Sequence, residues 1–221
     1  MPQSSSISPS TAFQRADLPE QKDERRHLIL RAAAEEIASL GKDKDFTINS
    51  LARRAGLAKG TVYLYFPSKG AIMLELLMEA SDLLIADLLK DVAALPDPIC
   101  ARDLASVIER SFVRSDETRQ FSRLFKNLSL DSSGRDQFHD HSIPRLLELD
   151  ALLRKRLPQL QPGDGMELIF FSWALRLGYS AIEETKAECK PKCEPKFDPS
   201  IGLIRMVEGY LHRPDPARDA R

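Results

Sequence analysis

Between Thr47 and Lys69 the chain gathers groups suited to a polyanion rather than to bond-breaking chemistry. The run is Thr47-Ile48-Asn49-Ser50-Leu51-Ala52-Arg53-Arg54-Ala55-Gly56-Leu57-Ala58-Lys59-Gly60-Thr61-Val62-Tyr63-Leu64-Tyr65-Phe66-Pro67-Ser68-Lys69. Lys59 is a flexible cation for a phosphate or a guanine edge. Gly60 has no side chain, so its backbone can lie against a groove floor. Thr61, Tyr63 and Tyr65 carry hydroxyls that can donate to phosphate oxygens. Thr47 and Lys69 fall at expected helix starts, where free N–H groups and the helix dipole favour phosphate. Leu64 shares the outward side of the same short segment.

The spacing predicts two short helices around a glycine turn. Thr47 is a good N-cap for a helix over 48–55. Gly56 permits the tight turn. A second helix covers roughly 59–65 and stops at Phe66-Pro67, because a residue before proline avoids the helical region. Leu51, Ala52, Ala55, Leu57, Val62 and Phe66 form an apolar seam. Val62 and Phe66 are one turn apart and share a face. A preceding helix over about 21–40, with Ile29, Ala33, Ile37 and Leu40 on one side, would complete a three-helix core. This is the layout by which a helix-turn-helix places its second helix in the major groove of DNA.

With these elements in place, the run Thr47…Leu51-Ala52…Ala55-Gly56-Leu57…Lys59-Gly60-Thr61-Val62-Tyr63-Leu64-Tyr65-Phe66…Ser68-Lys69 resembles the N-terminal domain of TetR-family transcriptional regulators. The resemblance covers about 45–50 residues, from the first helix to the start of the fourth. It implies an all-α, nine-helix architecture with a three-helix head on a larger helical body. It also implies that Thr47, Lys59, Gly60, Thr61, Tyr63, Tyr65 and Lys69 contact double-stranded operator DNA. The chain departs from the family pattern twice. Ala58 stands where Ser or Thr is frequent, and Gly70 where Glu is usual. The first omission removes a helix cap that would contribute about 1 kcal/mol.

The boundaries expected are a disordered tail over 1–20, the head over 21–68, the body over 69–212 and a C-terminal tail over 213–221. Further helices are expected near 69–94, 101–114, 117–130, 135–157, 165–188 and 199–211, separated by proline and glycine. The fourth would span about 39 Å. Residues 1–70 hold 11 Lys and Arg against 8 Asp and Glu, whereas the whole chain carries a net charge of −1. A mildly basic front and a mildly acidic back suit a small DNA-reading head on a body with another task. No stretch reaches the roughly 18 apolar residues of a membrane span, and the first residues lack a signal-peptide core. A cytoplasmic protein with reduced thiols is expected from this and from three cysteines.

In the body, Phe112, Phe121, Phe125, Phe138, Phe171, Trp173 and Tyr179 are candidates to line a small-molecule pocket, although plain core is the preferred reading for any one of them. The family resemblance implies that the last two helices pair with their copies in a homodimer. Leu168, Phe171, Leu175, Ile201, Ile204, Val207 and Leu211 are the candidate interface. Such a dimer would present two heads to a pseudo-palindromic site, with reading helices about 34–36 Å apart or a multiple of that. His139, His141, Cys189 and Cys193 invite a metal reading, but their spacing matches no strong zinc pattern. Solvated histidines and incidental thiols are preferred, with a disulfide between Cys189 and Cys193 left open. Glu35-Glu36 and Glu183-Glu184 are read as solvated helix faces. There is no nucleophile–base set, no phosphate-cradling glycine loop and no HExxH, so neither an enzyme nor a cofactor is expected. The function implied is a DNA-binding repressor released by a small-molecule effector. The alternative is a helical, dimeric interaction protein that has lost DNA binding.

Overall fold

The computed structural model describes residues 19–39, 46–111, 124, 131–188 and 198–212. These form eight α-helices and no strand. The ninth helix expected, over 117–130, lies outside the described residues except for Leu124, which is helical and buried. The chain divides into two compact units after Pro67, one residue before the boundary expected from the sequence.

The first unit holds α1 (Pro19–Ser39), α2 (Ile48–Arg54) and α3 (Lys59–Tyr65). Helix α1 starts two residues earlier than expected, on a proline. Proline suits a first helical position because its missing N–H would have no partner there. Ile29, Leu30 and Ala33 of α1 are buried with Leu51 and Ala52 of α2, Val62 of α3 and Phe66 just beyond it. Phe46, which falls between the helices expected over 21–40 and 48–55, is buried as well.

The second unit holds α4 (Lys69–Ala93), α5 (Ala101–Ser111), α6 (Ser132–Arg156), α7 (Asp164–Glu188) and α8 (Pro199–Leu211). Three of the helices begin on side-chain caps that satisfy otherwise orphaned N–H groups. Ser68 accepts from the Ala71 N–H at 3.1 Å, Asp131 from Gly134 at 2.8 Å and Asp198 from Ser200 at 2.9 Å. The Asp131 cap explains why α6 starts at Ser132 and runs through Gly134, which lies between the helices expected near 117–130 and 135–157. Pro144 also lies inside α6. It removes one intrahelical hydrogen bond from a helix held by its neighbours.

Helix α4 packs along α5 and α6, α5 against α8, α6 against α7, and α7 against α8. Helices α4 and α6 run in the same sense. Asp82 meets His141 at 3.0 Å, and further along both helices the end of α4 meets Arg156. The Arg156 guanidinium donates to the carbonyls of Val92 (3.0 Å), Ala93 (2.9 Å) and Leu95, and to Asp97 (2.9 Å). A single side chain thereby satisfies carbonyls that a helix end leaves open. The corner between α6 and α7 turns on buried Asp150. It accepts from Arg154 Nε (2.9 Å), from the Gly165 N–H (2.9 Å) and from the Gly163 N–H (3.4 Å). Gly163 takes a φ of +94°, which favours glycine. A Cβ on Gly165 would sit 2.8 Å from an Asp150 carboxylate oxygen and 3.0 Å from its Cα, so only glycine fits this approach.

Candidate nucleic-acid interface

Helix α2 is set by a reciprocal cap. Thr47 Oγ1 accepts from the Ser50 N–H at 3.0 Å, and the Thr47 N–H donates to Ser50 Oγ at 3.1 Å. Two orphan donors are satisfied at once, which lets a helix of seven residues hold its shape. Its end is equally defined. The Leu57 N–H donates to the Ala52 carbonyl at 2.9 Å, and Gly56 sits at φ +66°, the left-handed conformation the turn needs. Helix α3 then follows Ala58, an N-cap without a side-chain cap bond, as expected from the missing hydroxyl.

Val62 and Phe66 anchor α3 to the head core and are almost wholly buried. The residues around them take three other stripes. Lys59 and Tyr63 form one, with the Lys59 ammonium 5.9 Å from the Tyr63 ring centroid. Thr61 and Tyr65, both half-buried, form the second. Gly60 and Leu64 form the third and are fully outward. Tyr63 is 45% exposed and Leu64 83%, and a Cβ on Gly60 would meet nothing within 4 Å. The structure therefore brings Lys59, Gly60, Thr61, Tyr63, Leu64 and Tyr65 together on one short helix. Thr47 is exposed at the start of α2. Lys69 is the first residue of α4 and belongs to the second unit. From Phe46 to Leu74 there is no acidic residue, while Arg53, Arg54, Lys59 and Lys69 are basic. Helices α2 and α3 themselves thus carry charge favourable to phosphate, with Arg54 turned to Glu35 and Glu36 of α1.

Two contacts that hold this face were not anticipated. Arg26 of α1 lays its guanidinium 4.5 Å over the Phe66 ring, closing the core beneath the end of α3. Glu36 of α1 accepts a short hydrogen bond from Arg54 Nε, tying α1 to the last turn of α2. This corrects the reading of Glu35-Glu36 as a solvated pair. Glu35 is exposed, but the Glu36 side chain is 12% exposed. The hydrogen bond from Arg54 is the main cause holding the Glu36 carboxyl below its ordinary pKa. Burial opposes it, while Ser50 and the charges of Arg54 and Arg53 add to it. The signal was present in the sequence: Ile29, Ala33 and Glu36 are spaced by four and three residues on the buried stripe.

Residues 29–76 match the family described as bacterial regulatory proteins, tetR family. Over these residues, about a fifth of its length, the chain is similar to that family. An uncharacterized HTH-type transcriptional regulator of Bacillus subtilis, YvdT, is 43% identical over 56 residues. That stretch is 25% of this chain and 28% of the relative, so this sequence likeness spans little more than a quarter of either protein. Among solved structures, the multidrug binding protein EbrR complexed with imidazole superposes with a TM-score of 0.62 at 16% identity, over 87% of this chain and 98% of that one. A FadR regulator of Bacillus subtilis in complex with stearoyl-CoA gives 0.56 at 18% identity, over 84% and 97%. At such identities the likeness establishes the fold alone.

The candidate body residues separate by exposure. Phe112, Phe121 and Phe125 lie outside the described residues. Phe138, Trp173 and Tyr179 are half-buried. Phe171 is exposed and meets Phe170 edge-on at 5.8 Å. Of the candidate interface, Leu168 and Val207 are fully buried within the single chain, which makes them core residues of one subunit rather than contact residues between two. Leu175 and Ile201 are exposed with Phe171, and Ile204 and Leu211 are half-buried. Phe170 (61% exposed) and Ile182 add to this apolar surface and were missing from the candidate interface. His141 pairs with Asp82, and His139 is exposed. Among the described residues no cluster of three metal-ligating side chains occurs. Cys189, Cys193 and the disulfide left open between them lie outside the described residues, as do the side chains of Glu183 and Glu184. No helix among those described is long and apolar enough to cross a membrane.

Proposed function

We propose that the chain is a regulator that binds operator DNA through α3 and represses transcription until a small molecule binds its body. The observation that carries this reading is the outward face of α3. It presents an ammonium, three hydroxyls and an open glycine, on a segment without acidic residues. Lys59 and the hydroxyls of Thr61, Tyr63 and Tyr65 serve the phosphates, and Thr47 and Lys69 contribute at the starts of α2 and α4. The acting species is a homodimer joined through Phe171, Leu175 and Ile201, with Phe170 and Ile182 beside them. Five large apolar side chains left open on α7 and α8 support that choice. Sedimentation of the full chain as a monomer at micromolar concentration would remove the dimer from the scheme.

The effector is a small, largely apolar molecule held among the half-buried aromatics of the body. It acts only through different affinities for DNA-bound and free forms. A coupling of about 1–3 kcal/mol changes DNA affinity roughly 5–150-fold. Stearoyl-CoA and imidazole, bound by the two structural neighbours, are reasonable first members of a ligand panel.

The test is a gel shift of the full chain on the region upstream of its own gene, with Lys59→Ala and Tyr63→Ala. Each variant should bind more weakly, and loss of the Lys59 phosphate contact should lower the salt slope by about one. Variants binding like the parent chain would remove α3 from the reading. Absence of any salt-sensitive binding would select the alternative of a helical interaction protein.

A further inference from the structure

Leu64 is the most exposed large apolar residue among those described, at 83% against 61% for the next, Phe170. Single surface leucines need no explanation in general. This one occupies a particular line of its helix. Successive residues turn by about 100°, so Gly60 and Leu64 each lie about 160° around the axis from Val62. Val62 is wholly buried, and the line through Gly60 and Leu64 is therefore the outermost of α3. It is flanked by the Lys59–Tyr63 stripe on one side and the Thr61–Tyr65 stripe on the other.

The consequence is chemical. The groups able to anchor phosphate sit on the flanks. The line that would enter a groove deepest offers an isobutyl group and a bare backbone. It holds no Arg, Asn, Gln or Lys, the side chains that read guanine or adenine by paired hydrogen bonds. Gly60 leaves open space one turn before Leu64, so no neighbouring side chain on that line holds the helix away. In the major groove one feature of a base pair is apolar, the C5 methyl of thymine.

We propose that Leu64, with Gly60 beside it, selects thymine in the operator by packing on its C5 methyl. Each half-site then contains a T·A pair under Leu64 whose methyl, rather than its hydrogen-bonding edge, is recognised. The inference rests on α3 being the DNA-reading helix. The segment that carries α3, basic and without an acidic residue from Phe46 to Leu74, matches a duplex rather than an apolar protein partner.

The experiment removes single methyl groups from the DNA. The full chain selects its preferred duplex from a random library, and each thymine of one half-site is then replaced in turn by deoxyuridine. That exchange deletes the methyl and leaves every hydrogen-bonding group. At one or two positions the parent chain should lose about three- to fivefold in affinity, the effect expected for one buried methyl. Leu64→Ala should bind the unmodified duplex several-fold more weakly and show no further loss at those positions. Leu64→Met, which keeps an apolar reach, should stay sensitive. Because Leu64 is exposed, these variants should retain the parent's helical circular dichroism. Uracil duplexes bound as well as the parent duplex, or a uracil penalty undiminished in Leu64→Ala, would overturn the assignment while leaving DNA binding intact. A chain that selects no duplex would overturn it together with the reading it rests on.

Discussion

The Glu36–Arg54 link offers the sharpest check on how the head is held. Glu36→Gln keeps the shape and removes the charge. The Glu36 side chain is 12% exposed and that of Arg54 38%. A buried hydrogen bond to a charged group contributes about 1.5–3 kcal/mol. Solvent around the more exposed Arg54 screens part of this, which brings the expected cost to about 1–2 kcal/mol. The folded state holds the Glu36 carboxyl below its ordinary value of 4.5, so the unfolded chain binds a proton there more readily. The contribution is therefore complete above about pH 4.5 and is lost as pH falls through the lowered folded value. Amide hydrogen exchange of the full chain measures it locally. At pH 7 the α1 and α2 amides of Glu36→Gln should exchange roughly 5–30-fold faster than the parent's, the ratio equivalent to 1–2 kcal/mol. Measured at matched pH below 4.5, that ratio should shrink toward one. Equal exchange at pH 7, or a ratio that does not change with pH, would refute the argument.

Two further substitutions test the local geometry. Ala58→Ser should supply the cap that α3 lacks, slowing exchange of the α3 amides by the equivalent of about 1 kcal/mol; unchanged protection would mean another group already satisfies those N–H groups. Gly165→Ala should lower the thermal midpoint of the body despite the better helix propensity of alanine, because that gain of about 1 kcal/mol is outweighed by an overpacking cost of about 1–3 kcal/mol against the Asp150 carboxylate and backbone. A raised midpoint would show that α6 and α7 can part at little cost.

Much of the head was legible because its elements are short and locally specified. Thr47 as a cap, Gly56 at a left-handed turn and Pro67 after α3 each restrict the backbone within a few residues, and Val62 and Phe66 repeat at the helical period. What escaped was tertiary. Glu36 fell on a buried stripe, but charge alone argued for solvent, and only the arrival of Arg54 from α2 makes its burial tolerable. Phe46 looked like a loop residue because no periodicity extends through it. In the body, Gly134 argues on its own for a break, yet it sits in the first turn of α6, where the Asp131 carboxylate bonds its N–H.

The limit of periodicity is clearest on α7 and α8. Leu168, Phe171 and Leu175 follow one another at helical spacing, as do Ile201, Ile204, Val207 and Leu211, so sequence assigns each set to one apolar stripe. Burial inside a subunit and burial between subunits require the same side chains, and a hydrophobic stripe carries no mark of which neighbour will cover it. The single chain divides the set: Leu168 and Val207 are fully enclosed, whereas Phe171, Leu175 and Ile201 remain open with Phe170 and Ile182. A stripe wider than one subunit can cover is what a helix needs if it is to serve its own core on one edge and a second copy on the other. If the chain pairs as proposed, the exposed members, rather than the buried ones, are where substitution should disturb assembly without unfolding the subunit.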